Sequence, residues 1–419
     1  MLGKIFHKAS AVLGVLCIVL AVLLAGRALV NRIAGRSDGG FMYGQPWTIT
    51  SQSVVEPQST NAELLKGRTR SLGWIVGRDC QAGMQAYLQS AAVAPDVALV
   101  GTGWVDPTTG QLINGDSNSC MPGSLSMDNV VQLVHRKGGM AYLTITMQTD
   151  GAPGSWTPQQ AAAYVDQATT NPALYAPIIH EVTRAHYDGV IMDLEGIDLN
   201  YPAIQQIFAT YNQHLWAMLR PLHKWYGIAL IHKLSNHDAY YGLNGFENWQ
   251  LLGHSADFMV VMAVDQSYFT PGPSASIPWL RQLLDYTLQT MPQMLPHIIW
   301  ELPLYGNSWH WQTDHWVFEG IITFQQAQNM LAQASSSQID TTASDLHDPY
   351  SPHLVYVDNA GVKHSVWYLS ARGLYATIAG FKQALQEGPQ FKDSNPGFAF
   401  WWRTTEEPPD FWSMLANSH

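Results

Sequence analysis

Eight short apolar runs recur along the chain, each followed by a polar or amphipathic stretch. They are SLGWIVG (71–77), DVALVGTGWV (96–105), MAYLTITM (140–147), YDGVIMDLE (187–195), YGIALIH (226–232), DFMVVMAVD (257–265), HIIWELPLYG (297–306) and GFAFWW (397–402). Their length and their β-branched and aromatic content predict buried strands. The stretches between them carry the helical period. The clearest runs from Tyr201 to Trp225, where Ile204, Ile207, Phe208, Tyr211, Leu215, Met218 and Leu219 share one face and Pro202 sits in a permitted first turn. Strand–helix alternation predicts a parallel sheet covered on both faces. Eight repeats within one domain predict a (β/α)8 TIM barrel. A doubly wound open sheet is the alternative, and it lacks a glycine-rich first turn here.

One segment departs from this rhythm. Residues 310–370 contain the helical stretch TFQQAQNMLAQA and then the hairpin-like HLVYVDNAGVKHSVWYL, with its turn near Asn359–Gly361. These predict a small α+β insertion after the seventh strand. Ser370 then caps the helix ARGLYATIAGFKQAL.

The N-terminus is patterned differently. Lys4 and Lys8 precede the uncharged run Ala11–Gly26, and Arg27, Arg32 and Arg36 follow it. Sixteen residues are short of the roughly 20 that span a bilayer and suit a signal h-region. No clean small-x-small cleavage site follows. Residues 1–35 therefore read as a signal peptide or signal-anchor, with the anchor slightly favoured. Residues 36–69, polar and weakly periodic, read as a linker, and 70–419 as the barrel domain. The domain is expected outside the cytoplasm, membrane-anchored or secreted. Of three cysteines, Cys17 lies in the apolar run, which leaves Cys80 and Cys120 as an even pair in an oxidising compartment. A disulfide joining the loops after the first and second strands is expected; two free buried thiols are the competing reading.

Composition narrows the ligand class. Of 419 residues, 47% are hydrophobic and 13% charged, with 16 Trp and 18 Tyr. Such a surface suits neutral, ring-shaped ligands. A net charge of −11 opposes nucleic acid and anionic lipid. No Walker loop, GxGxxG or CxxC is present, and no cofactor is expected. His310, Asp314 and His315 in NSWHWQTDHW match no zinc spacing. The aromatics of that segment line a groove or pack, His232 and His254 read as core or rim, and Trp74, Trp104 and Trp279 read first as core. Oligomeric state is left open.

The candidate chemistry lies in HYDGVIMDLEG, residues 186–196. Ile191, Asp193 and Glu195 share parity and hence one face of a strand. Glu195 ends that strand at the barrel's C-terminal mouth, where active sites of this fold lie. Two carboxylates two residues apart, partly buried, repel each other and push one pKa up, which makes a general acid. A strand end with two solvated acids is the bland alternative.

DGVIMDLE resembles the DxxDxDxE signature of glycoside hydrolase family 18, the chitinase-like barrels, and the likeness is closest to the bacterial spore-germination and cortex-lytic branch. FMVVMAVDQSYFTPGPSASIPWLRQLLDYTLQTMP resembles that branch's sixth strand and following loop. LPLYGNSW resembles its seventh strand, VYVDNAGVKHSVWYLSARGLY its inserted subdomain and GFAFWW…EEPPDFW its eighth strand, so the similarity runs in order from about residue 70 to 415. The resemblance implies a retaining, substrate-assisted hydrolase of N-acetylglucosamine glycans, peptidoglycan or chitin-like. It implies Glu195 as general acid and Asp193 as the group that holds the acetamido N–H. Its binding set is Asp188, Asp265, Tyr305 and Trp401; within it, Asp188 opens the signature and has a structural role near the strand start. Two positions depart from the pattern. The family's middle Asp is Ile191, and the Tyr of Met-x-Tyr-Asp is Val264. The second departure removes a hydroxyl that orients the acetamido oxygen, and a carbohydrate-binding barrel without turnover is the alternative function.

Overall fold

The computed structural model describes residues 71–105, 112–113, 127–148, 156–197, 202–236, 244–348, 350–387 and 397–417. The expected signal or anchor (1–35), the linker (36–69) and Cys120 lie outside the described residues. Among the described residues no helix is long and apolar enough to cross a membrane.

The strands are β1 (Ser71–Val76), β2 (Asp96–Val105), β3 (Leu112–Ile113), β4 (Ala141–Gln148), β5 (Gly189–Glu195), β6 (Trp225–Ile231), β7 (Phe258–Met262), β8 (Ile298–Pro303), β9 (Tyr305–Gln312), β10 (His315–Thr323), β11 (His353–Val357), β12 (Lys363–Trp367) and β13 (Gly397–Trp401). Eight of them pair in parallel in the order β1-β13-β8-β7-β6-β5-β4-β2, and β1 pairs with β2 to close the ring. Helices run between successive barrel strands, so the TIM barrel read from the eight apolar runs is the fold. The short β3 adds antiparallel to the end of β2.

Alternation along the strands sorts the side chains into two cores. Trp74, Tyr142, Ile191, Phe258, Val260 and Ile299 fill the barrel interior. Val190, Met192, Ile228, Val261 and Trp300 face the helices. The interior is tight: a Cβ on Gly227 would lie 2.4 Å from the Phe258 ring, and that ring meets Tyr142 edge-on at 5.5 Å. Aspartates pin the strand starts. Asp96 Oδ1 accepts from Met140 N, Asp188 Oδ2 from Ala141 N and Asp257 Oδ2 from Tyr226 N, at 2.9, 2.7 and 2.9 Å. Each satisfies a backbone donor that the ladder leaves unpaired at the barrel floor.

Three boundaries differ from the sequence reading. The helix expected to reach Trp225 spans Pro202–Leu219. Pro221 and the left-handed His223 (φ 55) end it in a 3-10 turn, and Trp225 opens β6. The run DFMVVMAVD is strand only through Met262, so Val264 and Asp265 lie beyond its end. The run HIIWELPLYG breaks at Leu304, whose N–H donates to Trp401 O at 2.6 Å. The insertion therefore begins at Tyr305 rather than near 310.

That insertion is a four-stranded antiparallel sheet in the order β10-β9-β12-β11 with the helix Phe324–Gln333 and its own apolar core around Leu354, Val366 and Tyr368. Thr323 caps this helix and also donates to Glu406 Oε2 at 2.6 Å, which ties the insertion to the segment after β13. In that segment Arg403, fully buried, donates through Nε and Nη2 to Glu407, both at 3.0 Å, and through Nη2 to Ser90 Oγ at 2.7 Å. Its guanidinium lies 4.2 Å from the centre of the Trp412 ring.

Candidate active site

β5 carries Asp193 and Glu195 to the C-terminal mouth. Ile191 belongs to the interior core and Leu194 to the outer one, so Asp193 and Glu195 continue the inward row. Asp193 stands opposite Thr146 on β4, and Glu195 opposite Gln148. Asp193 is 5% exposed, and its Oδ1 has no hydrogen-bond partner among the described residues. Burial pushes this carboxyl up to about 7. Glu195, the last residue of the strand, is half-buried.

Asp265 reaches the same mouth by a different route. Its φ of 57° lies in the left-handed region, which a non-glycine residue occupies at a cost and which concentrates at functional positions. The Tyr305 hydroxyl, from the first residue of β9, donates to Asp265 Oδ1 at 2.5 Å. Burial raises the Asp265 pKa, and this hydrogen bond opposes the rise. Val264, 7% exposed, packs against Tyr305 and Trp402. Trp401, half-buried at the end of β13, touches both this group and the interior core. It meets Trp74 edge-on at 5.7 Å. The Trp401–Trp402 peptide is cis.

Two further acids belong to the site and escaped the sequence reading. Glu301, on β8, is 2% exposed, and its Oε2 has no partner among the described residues. Burial holds its pKa well above the usual carboxylate range, with Asp193, Glu195 and Asp265 adding to the rise and Trp74 opposing it. Glu247 is 1% exposed. Burial raises its pKa strongly; Lys233, a hydrogen bond from Ile231 N and one from the Trp249 indole oppose the rise, and Glu195 adds to it. Lys233, itself buried, donates to the carbonyls of Asn244 and Glu247 at 3.0 and 2.7 Å. Glu301 interrupts the apolar run HIIWELPLYG, the signal that singled out Asp193, whereas Glu247, in GFENWQ, interrupts none.

Of the expected site residues, Asp193, Glu195, Asp265, Tyr305 and Trp401 come together at the mouth. Asp188 does not. It lies at the opposite end of β5, where its carboxylate accepts from Ala141 N and, at 2.8 Å, meets His135 Nε2, so it pins strands near the start of β5, the structural role read for it, and stands apart from the binding residues at the mouth. Cys80, at the start of the helix Cys80–Ser90, is disulfide-bonded. His310 lies 3.5 Å from Glu319, whereas His315 pairs with Asp314 in the β9–β10 turn. Trp74 and Trp279 are buried, the latter edge-on to His232 at 4.9 Å.

The mouth thus gathers carboxyls in a low-dielectric, aromatic-walled recess. Mutual repulsion and burial keep protons on some of them near neutral pH, while others are free to carry charge. Such a site can donate a proton to a leaving oxygen and stabilise a developing cation.

No family model matches the chain, and no curated protein does. Solved structures do. A chitinase from Chromobacterium violaceum aligns with a TM-score of 0.66 at 19% identity, covering 83% of this chain and 98% of that one. The spore cortex-lytic enzyme SleL of Bacillus megaterium aligns at 0.64 and 17%, covering 84% and 75%. A class V chitinase variant from Nicotiana tobaccum, in complex with NAG4, aligns at 0.58 and 13%, covering 83% and 98%. At these identities the likeness is one of fold.

Proposed function

We propose that the chain is a family 18-type glycoside hydrolase that cleaves N-acetylglucosamine-containing glycans, peptidoglycan or chitin-like, by a substrate-assisted retaining mechanism. The observation that carries this reading is the placing of a buried Asp193 with Glu195 one inward step above it at the barrel mouth. Chitinase and cortex-lytic neighbours of the same fold support it. Glu195 donates its proton to the glycosidic oxygen as the bond from the anomeric carbon to that oxygen breaks. The substrate's acetamido carbonyl oxygen forms the new bond to that carbon. Asp193 accepts the acetamido N–H and stabilises the oxazolinium charge. Water then opens this intermediate while the Glu195 carboxylate takes the proton, so configuration is retained. Trp401 offers a ring face for the sugar. Tyr305, whose hydroxyl already engages Asp265, supplies the hydroxyl that Val264 lacks. The uncharged run at residues 11–26 supports export.

A second reading, a carbohydrate-binding barrel without turnover, is favoured by one observation: Val264 fills its place against Tyr305 and Trp402. Product analysis separates the two. Incubation with N-acetylglucosamine oligomers, followed by proton NMR at early times, yields the β-anomer first if the proposed mechanism operates. Bound but uncleaved oligomer favours the second reading.

A further inference from the structure

Glu301 is a buried acid for which the proposed cycle has no step. It stands on β8 opposite Met262 of β7 and Ala399 of β13. Ile299, two residues before it, belongs to the interior core, while Trp300 and Leu302 face the helices, so Glu301 points into the barrel as Asp193 does from β5. The groups around them are known. β1 contributes Trp74, whose indole N–H opposes the rise of the Glu301 pKa, and β13 contributes Trp401; neither is a cation. Glu195 and Asp265 add two more acids. Lys233 is committed to the carbonyls of Asn244 and Glu247 and acts on the Glu247 carboxyl. Ile191, below Asp193 on the inward row, offers no polar atom. Asp193 Oδ1 and Glu301 Oε2 are both buried and without partners among the described residues. An isolated buried carboxylate is strongly disfavoured, and two that face each other are stabilised by holding one proton between them.

We infer that Glu301 is a positioning residue that shares a proton with Asp193 across the barrel, so that a neutral Glu301 O–H donates to the Asp193 carboxylate while Asp193 binds the acetamido group. The inference rests on the proposed function for its catalytic consequence but not for the pairing itself. Its physical content is a division of labour. Once Asp193 has ionised, above about 7, Glu301 still holds its proton and orients the Asp193 carboxylate in a recess that otherwise disfavours its charge. Asp193 is the first of the charges that act on Glu301, and the raised pKa of both groups agrees with one retained proton. The pair behaves as a dyad with joint titration steps.

Two measurements on the full-length protein test this. The first is independent of turnover: infrared titration of the protonated-carboxyl band, with carbon-13 label placed in glutamate or in aspartate. In Asp193→Asn the buried glutamate band attributable to Glu301, identified by its loss in Glu301→Gln, moves down by about one pH unit or more relative to the parent. A midpoint that does not move overturns the pairing. The second compares kcat/KM profiles. Glu301→Leu removes the donor, lowers kcat about 100-fold and moves the acid limb up. Glu301→Gln keeps an N–H donor and restores kcat to within about tenfold of the parent without that displacement. Equal losses in both variants with unmoved limbs mark a merely structural residue and overturn the inference. Coupled titration in a protein that cleaves no glycan sustains the dyad and sinks the proposed function; cleavage without coupled titration does the reverse.

Discussion

Replacing Asp193 with Asn isolates the free energy stored in one buried acid. The carboxyl is 5% exposed and is held at about 7 by burial, against a value near 3.9 in the unfolded chain. Below about pH 4 both states are protonated and the group is neutral to folding. Between about pH 4 and 7 the unfolded chain releases the proton and the folded barrel keeps it, so stability falls as pH rises, by about 1.4 kcal/mol per unit. Above about 7 both states are ionised and the loss levels off near 4 kcal/mol, an upper bound that relaxation of the site reduces. Asn keeps the shape and carries no titration. Asp193→Asn should therefore be more stable than the parent at pH 7, by roughly 2–4 kcal/mol, and close to it at pH 4. Its removal of a like charge from Glu301 works in the same sense. Urea denaturation at pH 4, 5.5 and 7 gives the difference directly. A gap between the two proteins that stays constant across that range refutes the reasoning, because a pH-independent gap comes from packing or hydrogen bonding and not from a retained proton. If Asp193 holds the acetamido group as proposed, the gain in stability comes with a loss of activity.

Three further outcomes follow from other contacts. Arg403→Ala leaves Glu407 buried beside Trp412 without its bidentate partner, and thermal or urea unfolding should register a loss of about 3–5 kcal/mol; a loss under about 1 kcal/mol counts against a structural role for this ion pair. Tyr305→Phe removes the hydroxyl that binds Asp265 and should lower kcat about 100-fold with little change in fold, whereas unchanged kcat means that the hydroxyl is not the replacement for the one Val264 lacks. Peptide mapping of the non-reduced protein should recover Cys80 joined to Cys120; recovery of Cys120 as an alkylated thiol defeats that pairing, since Cys80 is disulfide-bonded.

Strands were easily read because each barrel strand is buried on both faces and so leaves an unbroken apolar run in the sequence. The positions of Asp193 and Glu195 followed from parity alone. Ends of elements were harder. Nothing in DFMVVMAVD announces that the chain leaves the sheet at Met262, because Ala263 and Val264 are as apolar as the strand; only the left-handed turn at Asp265 reveals it. The hairpin of β9 and β10 was hidden because Tyr305 follows β8 with only Leu304 between, so two strands of different sheets read as one run. Asp188 and Asp193 look alike in the signature, yet the four residues between them carry the chain from the barrel floor toward its mouth and set the two acids in different surroundings. Glu301 was overlooked because one acid inside HIIWELPLYG carries no spacing to pair it with Asp193 on a distant strand. That relation exists only once the ring closes.

The proposed role of Glu195 as proton donor is decided by comparing steady-state hydrolysis of N-acetylglucosamine oligomers and peptidoglycan fragments by the parent and by Glu195→Gln, with oligomer affinity measured by calorimetry. Gln keeps the size and hydrogen bonding of the side chain and removes the transferable proton. Turnover should be measurable in the parent and at least about 100-fold lower in the variant, with affinity little changed. Turnover that persists in Glu195→Gln, or a parent that binds these glycans and never cleaves them, contradicts the account.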